Sequence, residues 1–181
     1  MKGIVFTEFL EMVEDRFSLQ VADRIITRAA LPHGGVYTSV GTYPHAEMAR
    51  LAQALSEEAG LSVGRLLGVF GEHLAGRFHI RFPQFFAAAP TLFDFLASID
   101  SVIHVEVRKL YPDAELPSFA VEQRDADTMT LLYRSSRHLE DLAEGLVLGC
   151  AAHYGESVQV ERTPVQGADA GTRFKITRRT V

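Results

Sequence analysis

The apolar pattern of this chain changes period once, near Pro117, and that change restricts it to a fold in two parts. Upstream, apolar residues return at three- and four-residue steps. Phe6, Phe9, Leu10, Val13 and Phe17 do so first, with Glu8, Glu11, Glu14 and Asp15 between them. That is the mark of an amphipathic helix. Downstream, Phe119–Gln123 and Thr128–Tyr133 flank the polar turn Arg124–Asp127, and Ser157–Arg162 and Arg173–Thr177 flank a glycine-rich loop. These read as two β-hairpins. Helices therefore fill the first two thirds, and an antiparallel sheet of about four strands closes an α+β chain.

Punctuation divides the helical part. Residues 5–29 read as helix, broken near Ser18, a plausible new N-cap. A loop follows through Leu31-Pro32-His33-Gly34-Gly35 to Gly41-Thr42-Tyr43-Pro44. Pro44 suits a first helical turn, and the helix through Met48, Leu51, Ala52 and Leu55 stops at Gly60. Ser62 caps the next helix, which carries Val63, Leu66, Leu67, Phe70 and Leu74 with Gly64, Gly68 and Gly71 inside it. Each internal glycine costs about 1 kcal/mol against alanine, so a neighbouring helix or a flat ligand must come close. Phe78–Phe86 is aromatic-rich and broken by Pro83 and Pro90. After Pro90 a helix with the stripe Leu92, Leu96, Ile99, Ile103, Val107 and Leu110 runs to Tyr111-Pro112, where the proline ends it. A last helix covers about 137–154 and stops at Gly155.

At 181 residues this reads as one domain, 1–181. A net charge of −5 argues against a nucleic-acid or anionic-membrane partner. The one cysteine, Cys150, rules out an internal disulfide and a cysteine-rich zinc site. No apolar run approaches the roughly 20 residues that span a bilayer, and the start of the chain turns acidic before a signal-peptide core develops. The expected location is cytoplasmic.

Two stretches carry candidate chemistry. His104 lies on the edge of the apolar face of its helix, followed by Pro112 and Pro117. Taken alone it reads as a packing residue. The other histidines show no His-x-x-x-His or His-Glu-x-x-His spacing, and there is no Cys-x-x-Cys-His. A single neutral imidazole is enough to hold a haem iron whose second axial position is left to a ligand. Downstream, Tyr133, Ser135 and Arg137 stand at every second position. In extended chain they project to one face. They combine two hydroxyls with a planar guanidinium suited to carboxylates.

With those residues in view, the chain resembles the H-NOX (haem NO/O2-binding) family, also found in the β subunit of soluble guanylate cyclase. The resemblance runs from Met1-Lys2-Gly3-Ile4-Val5-Phe6-Thr7-Glu8-Phe9 through Phe70-Gly71-Glu72, Ile103-His104, Tyr111-Pro112 and Pro117-Ser118-Phe119 to Tyr133-x-Ser135-x-Arg137. It implies non-covalent haem b buried between the helical part and the sheet. His104 becomes the proximal iron ligand, Tyr133, Ser135 and Arg137 hold the propionates, and Pro117 presses on the porphyrin. Val5, Phe9, Leu74, Phe78, Leu142 and Leu146 become the distal pocket.

The same resemblance implies the choice of gas. O2-binding members carry a tyrosine five residues after the arginine, where this chain has Leu142. An apolar pocket predicts NO and CO binding without a stable O2 complex, unless His73 or Tyr154 reaches in. Alternatives are an O2 sensor, a peroxidase-like haem enzyme, which would need a distal acid/base group, or a scaffold without haem. The expectation is a bacterial stand-alone sensor, not an enzyme. In it, breaking of the iron–His104 bond shifts the helices against the sheet, and a histidine kinase or cyclic-di-GMP enzyme receives the signal. Some members bind zinc through C-terminal cysteines; Gly167–Phe174 has none, so no such zinc is expected.

Overall fold

A computed structural model describes residues 1–167 and 170–179. The N-terminal helices are α1 (Gly3–Arg16), α2 (Leu19–Ala29), α3 (His45–Ala59) and α4 (Val63–Arg81). The Ser18 side chain accepts the Val21 N–H at 3.2 Å and starts α2, and Ser62 accepts the Arg65 N–H at 3.3 Å and starts α4. These caps satisfy amide donors that the first helical turn leaves unpaired. Gly60 ends α3 at φ +67°, the left-handed conformation expected of a helix-stopping glycine. Pro44 differs from expectation by one step: it is the N-cap of α3, and His45 opens the helix.

Short α5 (Pro83–Ala87) leads into α6 (Leu92–Ser98), a π-helical turn (Ile99–Ile103) and α7 (His104–Leu110). The expected single helix is thus interrupted. A π-helical turn inserts an extra residue and rotates everything after it out of phase. The predicted stripe fails accordingly. Leu92 and Leu96 are buried, Ile99, Ile103 and Val107 are half-buried, and Leu110 is 71% exposed. His104 is the residue turned inward.

The sheet holds β1 (Ser118–Arg124), β2 (Thr128–Arg134), β3 (Val158–Val165) and β4 (Gly171–Arg178), with α8 (Glu140–His153) between β2 and β3. Its order is β1-β2-β4-β3, antiparallel throughout. The two hairpins are as expected, and they join through β2 and β4, with Leu131 opposite Phe174 and Met129 opposite Ile176. β1 carries a bulge between Val121 and Gln123. The last helix begins at Glu140, not near 137. His138 at φ +50° breaks the chain between Arg134 and that helix.

Two apolar cores result. One joins α1–α4 through Phe6, Phe9, Leu51, Leu55, Phe70 and Leu74, and reaches Leu142 of α8. The other joins α6, α8 and the sheet through Leu92, Phe93, Leu131, Tyr133, Val147 and Phe174. Phe78 and Leu146 pack against both. Helix packing explains Gly71 of α4 and Gly145 of α8. A Cβ on Gly71 would lie 2.7 Å from the Leu146 amide nitrogen and overlap the Leu142 carbonyl, and one on Gly145 would overlap the Gly68 carbonyl. Backbone touches backbone between α4 and α8, which only glycine permits.

Candidate functional site

The site is centred on His104, which is buried at the first position of α7. Its Nδ1 lies 2.8 Å from Asp100 Oδ1. An ionised carboxylate can only accept, so Nδ1 carries the proton and Nε2 is the bare nitrogen. The other Asp100 oxygen accepts the Phe119 N–H at 2.8 Å. One carboxylate therefore fixes the imidazole's tautomer and rotation and ties it to the first residues of β1. Burial lowers the His104 pKa and outweighs the opposing pull of Asp100, keeping the ring neutral. Neutral imidazole is the form that binds a metal.

Phe119 links the two expected halves of the site. Its ring lies 6.2 Å from the His104 ring and 5.1 Å from the Tyr133 ring, centroid to centroid. Tyr133 is buried in β2, and its hydroxyl is hydrogen-bonded to the Ser135 side chain. Beyond Arg134 the expected period-two projection fails. Ser135 lies past the strand end, and its hydroxyl accepts the Arg137 N–H at 3.2 Å, folding Arg137 into a turn. Tyr133, Ser135 and Arg137 still converge, through the turn and not through an extended strand.

Arg137 is largely buried. One terminal nitrogen donates to Glu115 at 3.1 Å, while its Nε is buried with no hydrogen-bond partner. Pro117 sits half-buried on the segment between α7 and β1, two residues before Phe119. The six expected distal residues come together: Phe9, Leu74 and Leu142 are buried in the helical core, and Val5, Phe78 and Leu146 pack against it. Neither polar group that could have upset this joins them. The Tyr154 hydroxyl donates to the Phe86 carbonyl at 3.0 Å, and His73 faces Glu8 at 3.9 Å. Two contributors were not anticipated. Asp100, four residues before His104, is a spacing at which helical side chains meet and so was findable. Glu115 carries no local signal.

These residues fit a haem. It needs one bare imidazole nitrogen, which Asp100 leaves at Nε2, and donors for two carboxylates, for which the unpartnered Arg137 Nε and the neighbouring hydroxyls are suited. Among the described residues, no group of three or more His, Cys, Asp or Glu side chains converges on a metal position. The Gly167–Phe174 stretch lies partly outside the described residues, at positions 168 and 169. No described helix is long and apolar enough to cross a membrane.

Known proteins share this fold. The unliganded Fe(II) H-NOX protein from K. algicida is 40% identical and superposes with a TM-score of 0.92, over 100% of this chain and 98% of that one. The H-NOX protein from Shewanella woodyi, solved in the Fe(II)CO state, is 39% identical with a TM-score of 0.84, covering 99% and 95%. That from S. oneidensis in the Fe(II)NO state is 26% identical with a TM-score of 0.90, covering 99% and 100%. Among curated proteins, soluble guanylate cyclase 89Db of Drosophila melanogaster is 27% identical over 76% of this chain, which spans only 20% of that protein. The model of the family described as Haem-NO-binding matches residues 2–162, and the chain belongs to that haem-binding family of gas sensors.

Proposed function

We propose that this domain binds haem b non-covalently, takes NO or CO at the ferrous iron, does not hold O2 stably, and signals to a separate effector protein. The observation that carries the reading is the Asp100–His104–Phe119 arrangement, which presents a bare, oriented Nε2 to a metal. His104 is the iron ligand. Tyr133, Ser135 and Arg137 hold the propionates, and Pro117 contacts the porphyrin face. Val5, Phe9, Leu74, Phe78, Leu142 and Leu146 line the gas-binding side.

Haem, when bound, supplies the iron that takes the gas; the rest is done by the chain. An O2 complex gains from a nearby hydrogen-bond donor, NO and CO far less, and the six distal side chains offer none. The related proteins solved with NO and with CO support those ligands. With haem held by His104, a change at the iron would reach α7 through that side chain. Asp100 transmits the change, because it also holds the β1 backbone. The domain thus has a two-state element that a ligand can bias. A histidine kinase or a cyclic-di-GMP enzyme in the cytoplasm would read it, and the domain itself acts as a sensor and not as a catalyst.

Visible spectra of the reduced protein under argon, then NO, then air test the reading. A five-coordinate ferrous spectrum, a shifted NO spectrum and no lasting oxy form are expected. Absence of a Soret band, or a stable oxy spectrum, would overturn it.

A further inference from the structure

We propose that His79 and His153 form a second metal site, an exchangeable position for Zn²⁺ or a similar divalent transition ion, at the cleft between α4 and α8. The two rings come from different helices and lie 3.9 Å apart, centroid to centroid, with planes tilted by 43°. No hydrogen bond joins either ring to a described residue, so their nitrogens are open to a ligand. Phe86 flanks both rings, 5.3 Å from His79 and 5.0 Å from His153, and Tyr154 lies 4.9 Å from His153. The described neighbours of the pair are aromatic rings, not competing polar groups.

The surroundings suit a partly hydrated ion. The histidines border a cleft of about 380 Å³ that Arg16, His73, Gly76 and Gly149 also line, with room for the waters that would complete coordination. Glu72, two helical turns before His79, places a carboxylate on the same cleft. A tetrahedral ion at 2.0–2.1 Å from each nitrogen requires the ring centroids to open to about 5 Å. Rotation of two partly exposed side chains supplies that. α4 and α8 are fixed against each other at Gly71 and Gly145, so the change falls on the side chains. Imidazole suits Zn²⁺, Ni²⁺ and Cu²⁺, and poorly suits Mg²⁺ or Ca²⁺. With only two protein ligands the site exchanges its ion, unlike a structural four-ligand site.

The experiment is calorimetric titration of chelator-treated, haem-loaded protein with zinc chloride, and with magnesium chloride for comparison. One zinc equivalent is expected in the wild type, with a raised melting temperature, and no magnesium response. His79→Ala and His153→Ala should each weaken zinc binding by more than the roughly tenfold that loss of an outer-shell partner costs. His45→Ala, at an exposed histidine on α3, should bind as wild type does. His79→Gln and His153→Gln keep polar bulk in the cleft and should lose zinc in the same way. Wild-type zinc affinity in any of the four cleft variants would overturn the assignment, as would equal loss in His45→Ala.

Discussion

Asp100 and His104 are joined by a 2.8 Å hydrogen bond from Nδ1 to Oδ1, and the second oxygen of the same carboxylate holds the Phe119 amide at 2.8 Å. The carboxylate therefore has two jobs that substitution can separate. Asp100→Asn keeps an acceptor for Nδ1 but removes the charge and one of the two acceptors. Asp100→Ala removes both. Haem affinity should fall in the order wild type, Asn, Ala, with Ala lower by about 10–100-fold, the usual cost of removing an orienting partner. Resonance Raman of the ferrous protein should show the iron–histidine stretch moving to lower frequency in both variants. An unshifted stretch in Asp100→Ala would mean that the bond does not orient the ligand.

Arg137 gives a contrast with its own neighbour. Its Nε has no partner among the described residues, and its acidic contact, Glu115, is 79% exposed. Arg137→Met should lower haem affinity by about 10-fold or more, since a hydrogen bond to a charged group contributes about 1.5–3 kcal/mol. Glu115→Gln should leave affinity unchanged or raise it, because it frees the guanidinium. Both are read from the rate of haem transfer to an acceptor protein. If Glu115→Gln weakened binding as much as Arg137→Met, the ion pair and not the propionate contact would be the important one.

Leu142 tests gas selectivity. It is buried, in the first turn of α8, beside the other expected distal side chains. Leu142→Tyr adds a hydroxyl donor and should produce an oxy spectrum on aeration that the wild type lacks. Overpacking should also lower stability by about 1–3 kcal/mol, measured by chemical unfolding. A stabilised protein with no oxy form would indicate that the new ring points away from the ligand.

Gly145 marks the contact that fixes the pocket wall. A Cβ there would overlap the Gly68 carbonyl of α4. Backbone cannot swing aside as a side chain can, so Gly145→Ala should lose at least about 1–3 kcal/mol. Gly76→Ala is the control: a Cβ there meets nothing within 4 Å. It should stabilise by about 0.5–1 kcal/mol through helix propensity. Equal effects on urea unfolding would refute a close α4–α8 contact.

What could be read from the chain alone depended on range. Ser18, Gly60, Ser62 and Gly155 act on their own helix ends, and each is where its residue type implied. The period-two strands and their hairpins depend on neighbours a few residues away. The β2–β4 pairing is set by residues 39 to 49 apart and had no local sign. The π-helical turn before His104 also has no local sign, because one extra residue in a turn needs no special residue type; its effect is the exposure of Leu110. The end of β2 at Arg134 and the Ser135 hydroxyl likewise put Arg137 in a turn and not on a strand face. Tyr133, Ser135 and Arg137 do meet, through that turn and not along an extended strand.

His73 supplies a pH dependence whose sign can be worked out. Its Nε2 is buried without a hydrogen-bond partner, 3.9 Å from Glu8. Burial holds its pKa below the usual value, despite the opposing pull of Glu8. In the unfolded chain it titrates near 6.5. Between the lowered folded value and about 6.5 the unfolded state binds more protons, so stability rises with pH across that window. Acidification through about pH 6.5 should therefore destabilise the protein, and the loss should level off once folded His73 also takes a proton. His73→Gln removes this proton. Its unfolding free energy, measured by urea titration at about pH 7.5 and about pH 5.5, should fall less than that of the wild type. Parallel losses in the two proteins would show that His73 takes its proton equally well in both states.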